Sequence, residues 1–323
     1  MYKKISAILV PTFLAIGIIG YMLYRVWDDL IQALQLMEPA YFVMGIFICL
    51  VAWWLRGWRY HTILNSLNYQ VSVAVATACI FVSQTVNLIV PARLGDFVRV
   101  FILKHEYNTT YSEGVSSLVV ERVFDIVTIA LLGAVSLLFV LNVRSEFYII
   151  IFVPIIVCLV FFVFLLFIGK NSSKNRYIQI ILTMLHEIKR ASLSLRSVVL
   201  LGGSSLVIWL IDILVCYAVV LMFQQQIPFA IIVLAIVIGN LVKAVPLTPG
   251  GIGTYEFALA STFGLVGVLP AVAFLIAVID HLIKNLVTLA GGVVSIYYFG
   301  DWVIPSIKNA WNSKFSGDDT TGR

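Results

Sequence analysis

An all-α, polytopic membrane protein is the fold class this sequence predicts, and three observations predict it. Of its 323 residues, 61% are hydrophobic and only 11% charged, and the mean hydropathy is +1.04, so there are too few polar side chains to cover the surface of a water-soluble globule. Apolar runs recur at the length, about 20 helical residues, that crosses a bilayer core. Two further apolar segments break at Pro and Gly instead of continuing, which points to re-entrant elements.

Taken in order, apolar runs occur at Ile5–Tyr24, Ala40–Leu55, Phe147–Gly169, Val198–Phe223 and Leu269–Tyr298. A sixth, Gly114–Leu141, carries Glu121, Arg122 and Asp125 in its first half. The first run follows Lys3 and Lys4 as a secretory signal would, yet the bulky Met22, Leu23, Tyr24 and Arg25 offer no cleavage site, so it is expected to be retained. Trp27, Trp53, Trp54, Trp58 and Trp302 fall at span ends, where amphipathic rings prefer the headgroup level. Cys49, Cys79, Cys158 and Cys216 lie inside apolar runs without metal or disulfide spacing and read as packing residues; no metal or other cofactor is expected.

Orientation follows from the short basic loops. Lys170, Lys174, Arg176, Lys189, Arg190 and Arg196 form the densest basic loop, which should be cytoplasmic. Its apolar residues Tyr177, Ile181, Met184, Leu185, Ile188 and Leu195 recur near helical spacing, as in a basic amphipathic helix on the inner leaflet. Counting outward from it makes Arg56, Arg59, Arg93, Arg99, Lys104, Lys308 and Lys314 cytoplasmic, with both termini. Val71–Val90 then begins and ends on one side, with a polar break at Ser83, Gln84, Thr85 and Asn87, and Phe229–Val245 dips in from the other. The expected organisation is one integral domain over 1–323 in the cytoplasmic (plasma) membrane. Within it lie about six full spans, repeat cores at 71–142 and 229–299, a cytoplasmic amphipathic loop at 170–197 and a short cytoplasmic tail at 300–323. The excess of 21 basic over 16 acidic residues sits on membrane flanks and points to anionic lipid, not to nucleic acid.

The two broken segments resemble each other. Pro91, Leu94, Gly95 and Phe97 match Pro249, Ile252, Gly253 and Phe257, with Asp96 and Glu256 close behind the Gly. Thirty residues separate Pro91 from Glu121, and 31 separate Pro249 from Asp280; both landing points are charged groups inside apolar spans, Glu121/Arg122/Asp125 and Asp280/His281/Lys284. Paired Gly/Pro interruptions of opposite orientation are the pattern of an inverted repeat. Each ionisable group near the bilayer centre costs roughly 2.5–3.5 kcal/mol, so six of them in two spans call for a polar interior.

Asn87, Pro91, Arg93, Gly95, Asp96 and Arg99 in NLIVPARLGDFVR, Glu121, Arg122 and Asp125 in ERVFD, and Pro246, Pro249, Gly250, Gly251, Gly253 and Glu256 in PLTPGGIGTYE together resemble the lysylphosphatidylglycerol synthase transmembrane, or flippase-like domain, family. The resemblance covers nearly the whole chain and implies a membrane protein that moves lipid headgroups or lipid-linked sugars between leaflets. Synthase members append a soluble aminoacyl-transferase domain; here only Gly300–Arg323 follows the last span, so a stand-alone member without that activity is expected. The last span offers Asp280, His281 and Lys284 where the family is expected to carry an arginine, which leaves the headgroup open.

By residue chemistry, Arg93, Arg99 and Arg122 suit phosphate, because guanidinium presents a planar fork that Lys lacks. The run Pro249–Gly253 can bring backbone amides to an anion, or serve as a tight turn for close helix packing. Asp96, Glu121, Asp125 and Glu256 could pair with the arginines, bind a cationic headgroup or take up a proton. His281 reads as a hydrogen-bonded interior residue and Lys284 as a further cation. A flippase-like transporter of a phospholipid or polyprenyl-phosphate-linked headgroup is the leading expectation; an intramembrane enzyme, or an accessory subunit of a separate glycosyltransferase or lipid synthase, is the alternative. No GxxxxGK[ST] run is present, so an ion or lipid gradient would have to drive transport.

Overall fold

The computed structural model describes residues 2–35, 37–90, 93–140, 143–169, 173–245, 247–300 and 302, with side chains from Thr12 onward. Pro91, Pro246, Lys170, Lys308 and Lys314, and nearly all of the tail, lie outside them. Among the described residues the regular elements are all helical. In chain order they are α1 (Tyr2–Val26), α2 (Leu30–Gln35), α3 (Ala40–Ser66), α4 (Val73–Ile89), α5 (Gly95–Tyr107), α6 (Tyr111–Leu137), α7 (Ser145–Phe167), α8 (Arg176–Ser192), α9 (Leu195–Met222), α10 (Phe229–Ala244), α11 (Thr254–Phe263) and α12 (Pro270–Phe299).

Local chemistry sets many of the boundaries. Ser72, Asn175 and Ser194 accept backbone N–H groups at the starts of α4, α8 and α9, and Thr110 with Glu113 forms a reciprocal capping box on α6. Pro270 opens α12, where its missing N–H costs nothing. Asn108 closes α5 in the left-handed conformation.

Helices α3, α7, α9 and α12 are long and apolar enough to cross a membrane. Helix α1, at 25 residues, and the charge-bearing α6, at 27, match them in length. Helices α4 and α10, with 17 and 16 residues, reach only about 25 Å at 1.5 Å per residue, short of a ~30 Å core. Each instead turns back: α4 packs on α5 and α10 on α11. Helix α7 shows its environment most plainly, since Ile149, Val153, Ile156, Val157, Val160 and Phe164 on several faces are all exposed, an arrangement suited to lipid.

The packing exchanges partners between the halves. Helix α4 of the first half lies against α12 of the second, α10 of the second lies against α6 of the first, and α3 packs on its counterpart α9. This crossed pattern is the one expected of a pseudo-twofold relation between α3–α6 and α9–α12. Helix α8 packs on α6, whose Ser112 and Ser116 donate to Glu187 at 2.8 Å each, and buries Ile188 and Ala191 while Tyr177, Ile178 and Ile181 stay exposed.

Candidate functional site

The first polar break is built around Asp96. Ser83, Gln84 and Asn87, one face of α4, donate to its Oδ1 at 3.1, 3.3 and 2.9 Å. Arg122 of α6 donates through Nη2 to both carboxylate oxygens, at 3.1 and 3.0 Å. Gly95 permits this convergence. A Cβ there would stand 2.1 Å from the Ser83 carbonyl oxygen and 2.8 Å from the Asn87 nitrogen, so only glycine lets α5 start directly on α4. Arg93 sits in the intervening turn at φ +53°, a conformation uncommon for a side-chain-bearing residue.

Behind Asp96 lies a layer of buried arginines. Arg59 of α3, 1% exposed, pairs with both oxygens of Asp125, the second contact at 3.0 Å, donates to Ser205 at 2.7 Å and lies 3.5 Å from Glu121. Arg99, fully buried, donates to Glu121 at 2.7 Å and stacks its guanidinium 4.5 Å from the Tyr60 ring centre. Arg56 pairs with Asp212 of α9. The sequence reading put Arg56 and Arg59 on a cytoplasmic flank. Both belong to α3, and Arg59 points inward because Asp125 and Glu121 of α6 compensate a charge that could not otherwise leave water.

The second break supplies a different chemistry. Gly250, Gly251 and Gly253 take φ of +61°, +81° and +86°, all in the region that favours glycine. Glu256 accepts the Gly253 N–H at 2.7 Å and lies 2.6 Å from His281 Nδ1, while His281 Nε2 lies 3.1 Å from Lys243 Nζ of α10. Beside this chain Asp280 accepts from Tyr255 at 2.6 Å and from Lys284 at 2.9 Å. Glu256 therefore faces a histidine and a backbone amide, with no arginine partner among the described residues.

Between the two breaks lies a cavity of about 200 Å³. Of the residues singled out in the sequence, Asn87, Arg93, Glu121, Arg122, Asp125, Gly250, Gly251 and Lys284 line it. Gly95, Asp96, Arg99, Pro249, Gly253, Glu256 and His281 do not; they stand behind the lining, and Asp96, Arg99, Glu256 and His281 hold it through the bonds just described. The sequence reading did not single out Lys243 or Asp212, which also line it, with Arg56, Trp53 and Trp209. The available signal was a lone ionisable residue inside an apolar run.

The cavity's electrostatics are unequal. Its lining carries five basic residues, Arg56, Arg93, Arg122, Lys243 and Lys284, against Glu121, Asp125 and Asp212. Arg56, Arg122 and Lys284 have carboxylate partners. Arg93 and Lys243 have none among the described residues; the Arg93 guanidinium reaches only the Lys243 carbonyl, at 3.5 Å. Arg122 Nε, Asn87 Oδ1 and Asp212 Oδ1 are buried without hydrogen-bond partners. A space with surplus positive charge and an open guanidinium donor, Arg122 Nε, is suited to an anion.

The sequence profile of the lysylphosphatidylglycerol synthase TM region matches residues 8–292, from α1 into α12. The chain belongs to this family. It is 32% identical to the glycosyltransferase AglD of Haloferax volcanii over 338 residues, which cover 90% of this chain and 54% of AglD, so it spans about half the length of that relative. A UPF0104 membrane protein of Methanocaldococcus jannaschii is 29% identical over 239 residues, 69% of this chain and 98% of that one. Another, of Methanothermobacter thermautotrophicus, is 24% identical over 329 residues, 90% and 93% of the two chains. No solved structure matches. Family and helices together make this a multi-pass membrane protein.

Proposed function

We propose that the cavity receives the phosphate-bearing headgroup of a membrane lipid, a phospholipid or a lipid-linked sugar, and passes it between the leaflets of the cytoplasmic membrane. The observation that carries this reading is the pair Arg93 and Lys243, two cations without carboxylate partners in a space walled by both halves of the chain. Arg93 offers a bidentate fork and Lys243 a point charge. The unfilled Arg122 Nε adds a donor, and Asp96 holds Arg122 toward the lining. Because elements of both repeats enclose the space, rocking of one half against the other would open it first to one leaflet and then to the other.

The test is reconstitution into vesicles containing a fluorescent phospholipid or a fluorescent polyprenyl phosphate, with loss of outer-leaflet signal to a membrane-impermeant quencher as the readout. Protein-dependent movement that Arg93→Lys and Arg122→Lys impair, with both variants still inserted, supports the reading; wild-type rates in both variants would remove the phosphate fork from it. A second reading is that the chain serves a separate glycosyltransferase or lipid synthase. It is favoured by the resemblance to about half of a protein named a glycosyltransferase. Affinity capture in mild detergent, with transferase activity assayed on the captured partner, separates the two.

A further inference from the structure

Of the two unpaired cations, Lys243 is held unlike any other residue of the cavity. Its aliphatic stem lies under Gly251, where a Cβ would stand 2.6 Å from Lys243 Cγ and 2.9 Å from Cδ. Its ammonium end meets His281 Nε2 at 3.1 Å, and the other ring nitrogen, Nδ1, meets Glu256 at 2.6 Å. Each of these two gaps accommodates one hydrogen. With Lys243 charged, His281 Nε2 must be bare and accept from it, while Nδ1–H donates to the ionised Glu256. The chain Lys243–His281–Glu256 is then neutral overall, and His281 takes no second proton while Lys243 faces it.

We infer that Lys243, His281 and Glu256 form a proton-loading site whose state is set by occupancy of the cavity. The inference rests on the headgroup reading above and adds to it a coupled ion. A phosphate entering beside Arg93 draws the flexible Lys243 ammonium toward itself and breaks the contact with His281. Nε2, now bare, binds a proton from solvent. The resulting imidazolium is balanced by Glu256 on its far side, while the phosphate balances Lys243. One anion enters and one proton follows; on release the Lys243–His281 contact re-forms and the proton leaves. The charged and titratable groups facing His281 are Lys243 from α10, Tyr255 and Glu256 from α11 and Asp280 from its own helix; Arg93 and Lys284 act on Lys243, and Asp212 with Cys216 on Tyr255, one layer further out. Asp280 is already held by Tyr255 and Lys284, and Asp212 by Arg56. Glu256 is thus left as the counter-ion of the ring.

The measurement is calorimetric titration of the full-length protein in detergent with dihexanoyl phosphatidylglycerol, a phosphodiester with no group of its own titrating near neutrality. It is run at mildly acidic and at neutral pH, each in buffers of different ionisation enthalpy. The wild type is expected to take up about one proton per lipid at mildly acidic pH, where the free site holds none while Lys243 faces His281, and less as the pH rises through the titration of the liganded imidazole. His281→Gln, which keeps hydrogen-bonding groups on both sides, should bind the lipid with no uptake. Lys243→Met should weaken binding about tenfold or more through loss of a charge-assisted contact. Binding by the wild type with no buffer dependence overturns the proton-loading site and leaves the headgroup reading standing. Absence of binding by phosphatidylglycerol and by a polyprenyl phosphate alike, each put through the same titration, overturns both. The wild-type proton count decides the matter even where a variant fails to fold.

Discussion

Gly95→Ala is expected to destabilise the protein more than any exposed substitution, and the size follows from the contact it would create. The added methyl would lie 2.1 Å from the Ser83 carbonyl oxygen and 2.8 Å from the Asn87 nitrogen. Both belong to the α4 backbone, so neither can rotate away. Restoring a tolerable separation of about 3 Å requires α5 to retreat by about 1 Å. That retreat carries Asp96 with it and stretches the bonds from Ser83, Gln84 and Asn87, now 3.1, 3.3 and 2.9 Å, to or beyond the useful limit. Overpacking of this kind costs about 1–3 kcal/mol, and weakened hydrogen bonds to a carboxylate add about 1.5 kcal/mol or more. The sum, about 2.5–4.5 kcal/mol, should lower the unfolding midpoint by roughly 5 °C. The assay is built into the chain: Cys49, Cys79, Cys158 and Cys216 are free and buried, so a thiol-reactive dye reports unfolding in detergent. Gly203→Ala is the control, since a Cβ there meets nothing within 4 Å. An unchanged midpoint for Gly95→Ala would refute the account of how α5 is seated on α4.

Further expectations concern charge, packing and sidedness. Glu121→Gln removes the carboxylate that Arg99 and Arg59 share and should cost about 3–5 kcal/mol by the same dye assay. Arg144→Ala breaks a pair whose members are each 58% exposed and should move the midpoint little, because exposed pairs contribute about 0–1 kcal/mol at most. Gly251→Ala forces a methyl against the Lys243 stem in a backbone conformation that resists side chains; it should impair lipid movement in vesicles more than it impairs insertion. Cysteines introduced at positions 104 and 265, one behind each break, should label from opposite sides of the membrane; labelling from the same side would end the inverted-repeat reading.

Apolar periodicity carried most of the fold to the level of the sequence. Run lengths marked α3, α7, α9 and α12, and Pro and Gly marked where α4 and α10 turn back, because those residues act on the backbone locally. The positions of charge inside apolar runs were equally legible, since insertion cost makes each conspicuous. What the sequence withholds is partnership. Arg59 reads as a flank residue until Asp125, 66 positions later, is found against it. Lys243 stands alone in NLVKAVP because its neighbour His281 arrives only on α12. Glu256 looks equivalent to Asp96 by motif, yet Asp96 meets an arginine and Glu256 a histidine, a difference made by which helix each one faces.

The crossed packing has a consequence for how the protein is made. Helix α4 rests on α12, yet roughly 180 residues of synthesis separate them, some 10–40 s at ordinary elongation rates of 5–20 residues per second. During that interval the first half sits in the membrane without its final neighbour. Most of its charges do not wait. Arg59 with Asp125, Arg99 with Glu121 and Arg122 with Asp96 are all encoded before residue 126, and Lys243, Glu256, Asp280, His281 and Lys284 close a second group among themselves. Biogenesis is thereby largely divided in two: each half neutralises most of its own ionised groups as it leaves the ribosome, and what is deferred is the Arg56–Asp212 pair that joins the halves and the exchange of apolar surfaces, which lipid can cover in the meantime.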